Sequence, residues 1–315
     1  MRGSTLALVI EGVVLAALLT VSADLYAHKR VERLGGVNVW GYRGPVMTRK
    51  IAPEIRIAVA GGDLAFGWGV AASETLVYSV RQLVGLETEK RGSQLGRTVA
   101  VNLGARGLPP GEYAGAVSHF AYLQPDVVCL VADPRHHVPA TAQLPDRQSA
   151  LFQVFGYAPM LPLVLREKAA VAGIPLLSAL GAGAEAADDL FGRRLRGSTR
   201  EPRGRMLEAS SYDQALESAV GAALAANASV VLVLPLYASQ EDRLDHERIW
   251  AQVAAQFDAR RVRIVDLGDE ADMYEPDLRL NGFDFSTGGH TKASEHVAPA
   301  ALALIKIRLG AAATR

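Results

Sequence analysis

The chain has 315 residues, which is long enough for one large domain or two small ones. Half of the residues are hydrophobic, and the 33 basic residues are balanced by 33 acidic ones. Because the net charge is zero, no overall positive field attracts nucleic acid, and we expect no nucleic-acid partner. The single cysteine, Cys129, excludes an internal disulfide and lies in the apolar run VVCLVA, which predicts a buried structural thiol.

The amino terminus predicts a membrane anchor over residues 1–23. Residues Thr5–Val21 are almost continuously apolar, a length at the short end of what spans a bilayer. A cleavable signal is the rival interpretation, because the small residues at 21–23 resemble a cleavage site. Glu11 favours a retained helix and a membrane-protein partner, since an ionisable residue in a membrane helix usually faces protein or water. Basic residues flank both ends of the run, so the orientation in the membrane stays open.

After a predicted linker over residues 24–54, the region 55–310 alternates strand and helix patterns. The predicted strands are 55–61, 98–104, 126–132, 229–235 and 261–267, and the predicted helices lie near 73–87, 111–123, 212–226, 245–257 and 292–309. The strands are continuous Val/Ile/Leu runs, which indicates burial on both faces. The fold class predicted is therefore α/β, three-layer α/β/α with a five-stranded parallel sheet. Residues 140–210 are predicted to be an insertion, and the part from 181 to 208, with many small and charged residues, is interpreted as a flexible excursion or lid.

In a parallel sheet of this kind, the functional crevice lies at the carboxyl ends of the strands. The residues that follow the predicted strands are Asp63, Gly107, the segment 133–137 and the loop before the last helix. These positions are the candidate site.

Four sequence blocks resemble the SGNH (GDSL) hydrolases, a superfamily of esterases, lipases and carbohydrate O-acetyl transferases and esterases. The blocks are GGDLAFGWGV, VNLGARG, PDVVCLVADPRHHVP and STGGHTKASEHVAPA, and the leading NVWGYRGP resembles the preface of membrane-anchored bacterial members. The resemblance covers roughly residues 38–309 and implies a flavodoxin-like fold. It also implies a domain on the extracytoplasmic side of the membrane and a carbohydrate ligand.

The residues expected for catalysis depart from the family pattern. The resemblance puts the nucleophilic serine at Asp63, the oxyanion glycine at Gly107 and the oxyanion asparagine at Arg135. The histidine remains as His290, but Thr287 replaces the aspartate expected three residues earlier. A carboxylate is a poor nucleophile toward a carbonyl, because the product would be a mixed anhydride of higher energy than the ester. Loss of the orienting carboxylate slows serine proteases about ten-thousand-fold.

Three functions stay open from the sequence. The first is an inactive binding or scaffold subunit of a membrane complex, in which Arg135 pairs with Asp63 and closes the pocket. The second is an active esterase or O-acyltransferase on cell-surface carbohydrate, in which Asp63 and His290 act as an acid–base pair on water. Two alternatives for single residues also stay open: Arg135 donates to an oxyanion, and Asp284 replaces the missing acid if the loop FDFSTGG folds back. The third is a metal-dependent hydrolase that uses Asp63, His136 and His290. We favour the first, and expect no cofactor and no resident metal.

Overall fold

The computed structural model describes residues 2–33, 36–90, 97–105, 108–131, 159, 161, 212–236, 240–280 and 284–313. The chain divides into two compact units. One unit comprises Met1–Gly41 and Ala142–Glu201, and the other comprises Tyr42–Thr141 and Pro202–Arg315.

The first unit contains the helix α1, Arg2–Arg33. Within it, Ala7–Arg30 is a stretch of 24 residues that contains 18 consecutive residues with a mean hydropathy of 2.0, and by length and composition it can cross a membrane. The prediction of a linker from residue 24 is wrong for its first ten positions, 24–33, which continue the helix. These ten residues include no glycine or proline, so nothing in their backbone preferences ends the helix.

The second unit is built on five parallel strands. They are β1 Ile55–Gly61, β2 Thr98–Asn102, β3 Val127–Val131, β4 Ser229–Leu234 and β5 Val262–Asp266. The strands lie in the order β2-β1-β3-β4-β5, which is the doubly wound order of flavodoxin-like folds. The predicted parallel sheet and all five predicted strands are confirmed.

Six helices among the described residues follow these strands. They are α2 Asp63–Phe66, α3 Leu76–Lys90, α4 Tyr113–His119, α5 Tyr212–Ala225, α6 Gln240–Ala255 and α7 Thr287–Ala313. Helices α3 and α7 pack together, and so do α4 and α5. The core beside α3 and α7 includes Ile57, Val59 and Cys129, which come from alternate positions of β1 and from β3. Burial raises the pKa of the Cys129 thiol to about 12, so this thiol stays uncharged, as predicted for a structural cysteine.

Helix α7 begins five residues before the predicted position, and this places the candidate histidine. Ser286 precedes the helix, and its Oγ accepts a hydrogen bond of 3.2 Å from the backbone N–H of Gly289, as an N-cap does. Two glycines in this turn disfavour a helix by propensity, but a Cβ at Gly289 would lie 2.1 Å from the carbonyl oxygen of Leu278. Close packing therefore requires the glycine, and His290 lies in the first turn of α7.

Candidate active site

Asp63 lies where a parallel-sheet enzyme would present a nucleophile. Strand β1 ends at Gly61, whose φ of +148° suits glycine, and a Cβ there would lie 2.3 Å from the carbonyl oxygen of Val131. Asp63 then begins α2 and is partly exposed. The turn closes by a backbone hydrogen bond of 2.9 Å from the N–H of Gly67 to the carbonyl of Asp63. The predicted strand–turn–helix geometry is therefore present, with a carboxylate in place of a hydroxyl.

The loop after β2 packs directly on this turn. A Cβ at Gly104 would lie 2.3 Å from the backbone nitrogen of Phe66, so only glycine allows the two backbones to approach so closely. The N–H of Ala105 donates to the carbonyl of Gly61 over 3.0 Å. Together these contacts hold the second sequence block against the first.

Arg43 is a buried cation beside the same turn, and the sequence reasoning did not select it. Its guanidinium donates to the carbonyl oxygens of Phe66, Gly67 and Val70, with 2.6 Å to Gly67. It also lies over the Phe66 ring, 4.5 Å from the centroid. Burial lowers the pKa of Arg43 to about 10, and the group remains charged at neutral pH.

Asn102 joins Arg43 to the turn after β1. Its carbonyl accepts a hydrogen bond of 2.9 Å from the backbone N–H of Arg43, and its side-chain amide donates to the carbonyl of Phe66 over 3.2 Å. Its side-chain oxygen accepts from the N–H of Gly104 over 3.0 Å. One buried amide therefore connects the residues before β1 with both crevice loops.

His290, the histidine that the sequence resemblance selects, is only 1% exposed. Its ring meets the ring of Phe285 edge to face, with 5.6 Å between centroids. Within the described part of the chain, neither imidazole nitrogen has a hydrogen-bond partner. Burial, and then the charge of Arg43, lower the pKa of His290 to about 4, while the charge of Asp284 acts in the opposite direction. The imidazole is therefore neutral at physiological pH.

The two candidate partners of His290 do not orient it. Asp284 is buried and influences His290 through its charge, but no hydrogen bond joins the two among the described residues. The alternative in which Asp284 replaces the missing acid therefore lacks the hydrogen bond it requires. Thr287, which occupies the aspartate position, donates its hydroxyl to Glu74 over 3.3 Å. Glu74 also accepts from the backbone N–H of Ala71 over 3.1 Å, so this carboxylate stabilises its own turn.

Several predicted positions lie outside the described residues: Gly107, Arg135, His136 and nearly all of the insertion 140–210. The proposed pairing of Arg135 with Asp63 and the metal ligand role of His136 therefore stay predictions. Among the described residues, neither Asp63 nor His290 belongs to a cluster of three or more metal-ligating side chains.

Arg43, Asn102 and Glu74 belong to this region, and the sequence pattern selected none of them as site residues. The signal for Arg43 was weak: an arginine between glycines in the segment NVWGYRGP. Glu74 lies three residues after Ala71 and so fits a helix-start pattern, but its contact with Thr287 spans 213 positions of sequence. No local pattern reveals such a contact.

No family model matches the chain. No curated protein matches it either. Solved structures similar to it include the psychrotrophic esterase EstA from Pseudoalteromonas sp., with 13% identity, a TM-score of 0.45 and coverage of 81% of this chain and 98% of EstA. A carbohydrate esterase family 3 protein from Talaromyces cellulolyticus has 13% identity, a TM-score of 0.41 and coverage of 80% and 98%. A catalytic mutant of Axe2, an acetylxylan esterase from Geobacillus stearothermophilus, has 15% identity, a TM-score of 0.45 and coverage of 79% and 94%. At these values the similarity says nothing about the activity of this chain.

The lowered pKa of His290 predicts a pH dependence of stability. The unfolded chain binds a proton at this imidazole below its ordinary value of 6.5, whereas the folded chain does so only near 4. The lowered pKa of His290 therefore costs no stability above pH 6.5. As the pH falls toward 4, the unfolded chain gains a proton that the folded chain does not, and the free energy of unfolding decreases by at most about 3 kcal/mol.

We expect denaturant unfolding of the native chain and of a His290→Gln variant to show this difference. The native chain should lose stability relative to the variant between pH 6.5 and 4, because the variant has no proton to gain there. Parallel stability curves for the two proteins across that window would contradict the assignment.

Proposed function

We propose that this protein is a membrane-anchored SGNH-hydrolase-like protein that has lost ester hydrolysis and acts as a binding or scaffold subunit of a membrane complex. The observation that carries the proposal is the state of His290, which is buried, neutral and without a hydrogen-bond partner among the described residues. A general base must reach the proton that it abstracts. No carboxylate among the described residues accepts a hydrogen bond from His290, as the acceptor that orients such a base would.

The position of Asp63 supports the same proposal. Its carboxylate begins α2 where an alkoxide would have to form, and it offers no hydroxyl to activate. An anion there also opposes the negative charge that develops on a carbonyl oxygen during acyl transfer. The family chemistry therefore lacks both its nucleophile and an oriented base.

Ester hydrolysis can be tested with the full-length chain in detergent. Short-chain aryl esters and acetylated sugars should be hydrolysed no faster by the native chain than by a His290→Ala variant. An Asp63→Ser variant should stay inactive as well, because His290 would still be a neutral imidazole without an orienting hydrogen bond among the described residues.

Circular dichroism of each variant provides the control for folding. Ester hydrolysis by the native chain that disappears in His290→Ala would reject the proposal that the protein is inactive. It would favour the active esterase or O-acyltransferase. Strong turnover in Asp63→Ser would show that only the nucleophile is missing.

A retained anchor is supported by how α1 continues past the cleavage-like residues. The side chains from Ala7 to Ala23 are exposed, and burial then begins with Asp24, Ala27 and His28. His28 lies 3.6 Å from Asp24, and the backbone N–H of Leu161 donates to the Asp24 carboxylate over 2.5 Å. Cleavage after Ala23 would divide one continuous helix directly before this packed segment.

Glu11 is the proposed contact with a membrane-protein partner. It lies on the exposed part of α1, where a carboxylate facing lipid would cost free energy. A partner that offers a polar or cationic group would remove that cost. The extracytoplasmic location of the second unit and a carbohydrate ligand belong to the same proposal and rest on the family resemblance.

The partner contact can be tested by crosslinking in intact membranes, followed by extraction and native mass analysis. A Glu11→Leu variant should stay in the membrane fraction but lose the crosslinked, higher-mass species. Val13 lies on the opposite side of α1, about 200° around the axis, so Val13→Leu should keep that species. Equal yields from both variants would remove Glu11 from the contact.

A further inference from the structure

A second cluster of ionisable side chains lies where the segment after β5 meets α7. Glu270 separates two short 3₁₀ turns, Leu267–Asp269 and Ala271–Tyr274, and Asp272 lies in the second turn. His296 lies on α7. Each of the three residues offers one ligand atom, and these atoms lie within 4.8 Å of one another.

The distances are close to those of a metal site. His296 Nδ1 and Glu270 Oε1 are 3.4 Å apart. A tetrahedral metal ion with bonds of about 2.1 Å has ligand atoms about 3.4 Å apart, so this pair already spans one edge of such a site. Asp272 supplies the third ligand from a partly exposed turn, and its ligand atom already lies within 4.8 Å of the other two.

The cluster already holds a cation at one of its carboxylates. Lys292 lies one helical turn before His296, and its Nζ is 2.7 Å from Asp272 and 3.0 Å from Glu295. The Lys292 side chain is 34% exposed, so it can swing into solvent when another cation enters. His296 Nε2 is buried without a hydrogen-bond partner among the described residues. No hydrogen bond at Nε2 from these residues therefore holds the imidazole ring in one orientation.

We propose that Glu270, Asp272 and His296 bind a divalent transition-metal ion such as Zn²⁺. On binding, this ion displaces the Lys292 ammonium from the Asp272 carboxylate. An imidazole with two carboxylates suits zinc, whereas magnesium and calcium prefer sites made of oxygen alone. The partial exposure of all three side chains leaves a fourth position for water. Such an ion would tie the segment after β5 to α7, independently of whether the crevice hydrolyses esters.

Titration calorimetry of the full-length chain in detergent with Zn²⁺ tests the site. The native chain should bind one ion, and His296→Ala should weaken the affinity at least about tenfold because it removes the only nitrogen ligand. Lys292→Met should bind Zn²⁺ more tightly than the native chain, since the competing ammonium is gone. Mg²⁺ should bind far more weakly to all of these proteins.

His246→Ala is the matched control, because it removes a histidine of α6 that is not in the cluster. Its affinity should equal that of the native chain. The proposal is overturned if the native chain binds no Zn²⁺, if His296→Ala and His246→Ala behave alike, or if Lys292→Met does not strengthen binding. An increase in melting temperature with Zn²⁺ that is lost in His296→Ala should accompany the calorimetry.

Discussion

The buried guanidinium of Arg43 is the interaction on which the rest of the crevice depends. A cation in the protein interior costs free energy unless every donor finds a partner, and Arg43 finds three carbonyls in the segment that follows the Asp63 turn. Through Asn102, the same network reaches the loop after β2. The residues directly before β1 are therefore part of the crevice, and not merely a connection to the sheet.

This network also shapes what chemistry the crevice can support. Arg43 contributes a positive charge that, after burial itself, opposes protonation of His290. In a working hydrolase, a carboxylate would counter such an effect by accepting a hydrogen bond from the imidazole. Here Thr287 occupies that position and donates to Glu74 instead. The contacts that stabilise this region therefore support the proposal that acid–base catalysis has been lost.

The sheet could be predicted from the sequence because its signal is local. Every residue of β1, β3 and β4 is buried, and nearly all of these residues are apolar, so the sequence pattern predicts the strands directly. The glycines around Asp63 likewise mark the turn. The start of α7 was predicted too late because two glycines disfavour a helix by propensity, although close packing against Leu278 requires the glycine at position 289. Arg43 and Glu74 could not be found, since their partners are distant in sequence and only the folded chain brings them together.

The central claim is that no side chain of this crevice attacks an acyl group. It is tested most directly by brief exposure of the full-length chain to an aryl acetate, followed by an acid quench and peptide mapping by mass spectrometry. The account predicts no acetyl adduct on Asp63 or His290 above that found on the unfolded chain. A stoichiometric adduct on either residue, absent after prior unfolding, would contradict it.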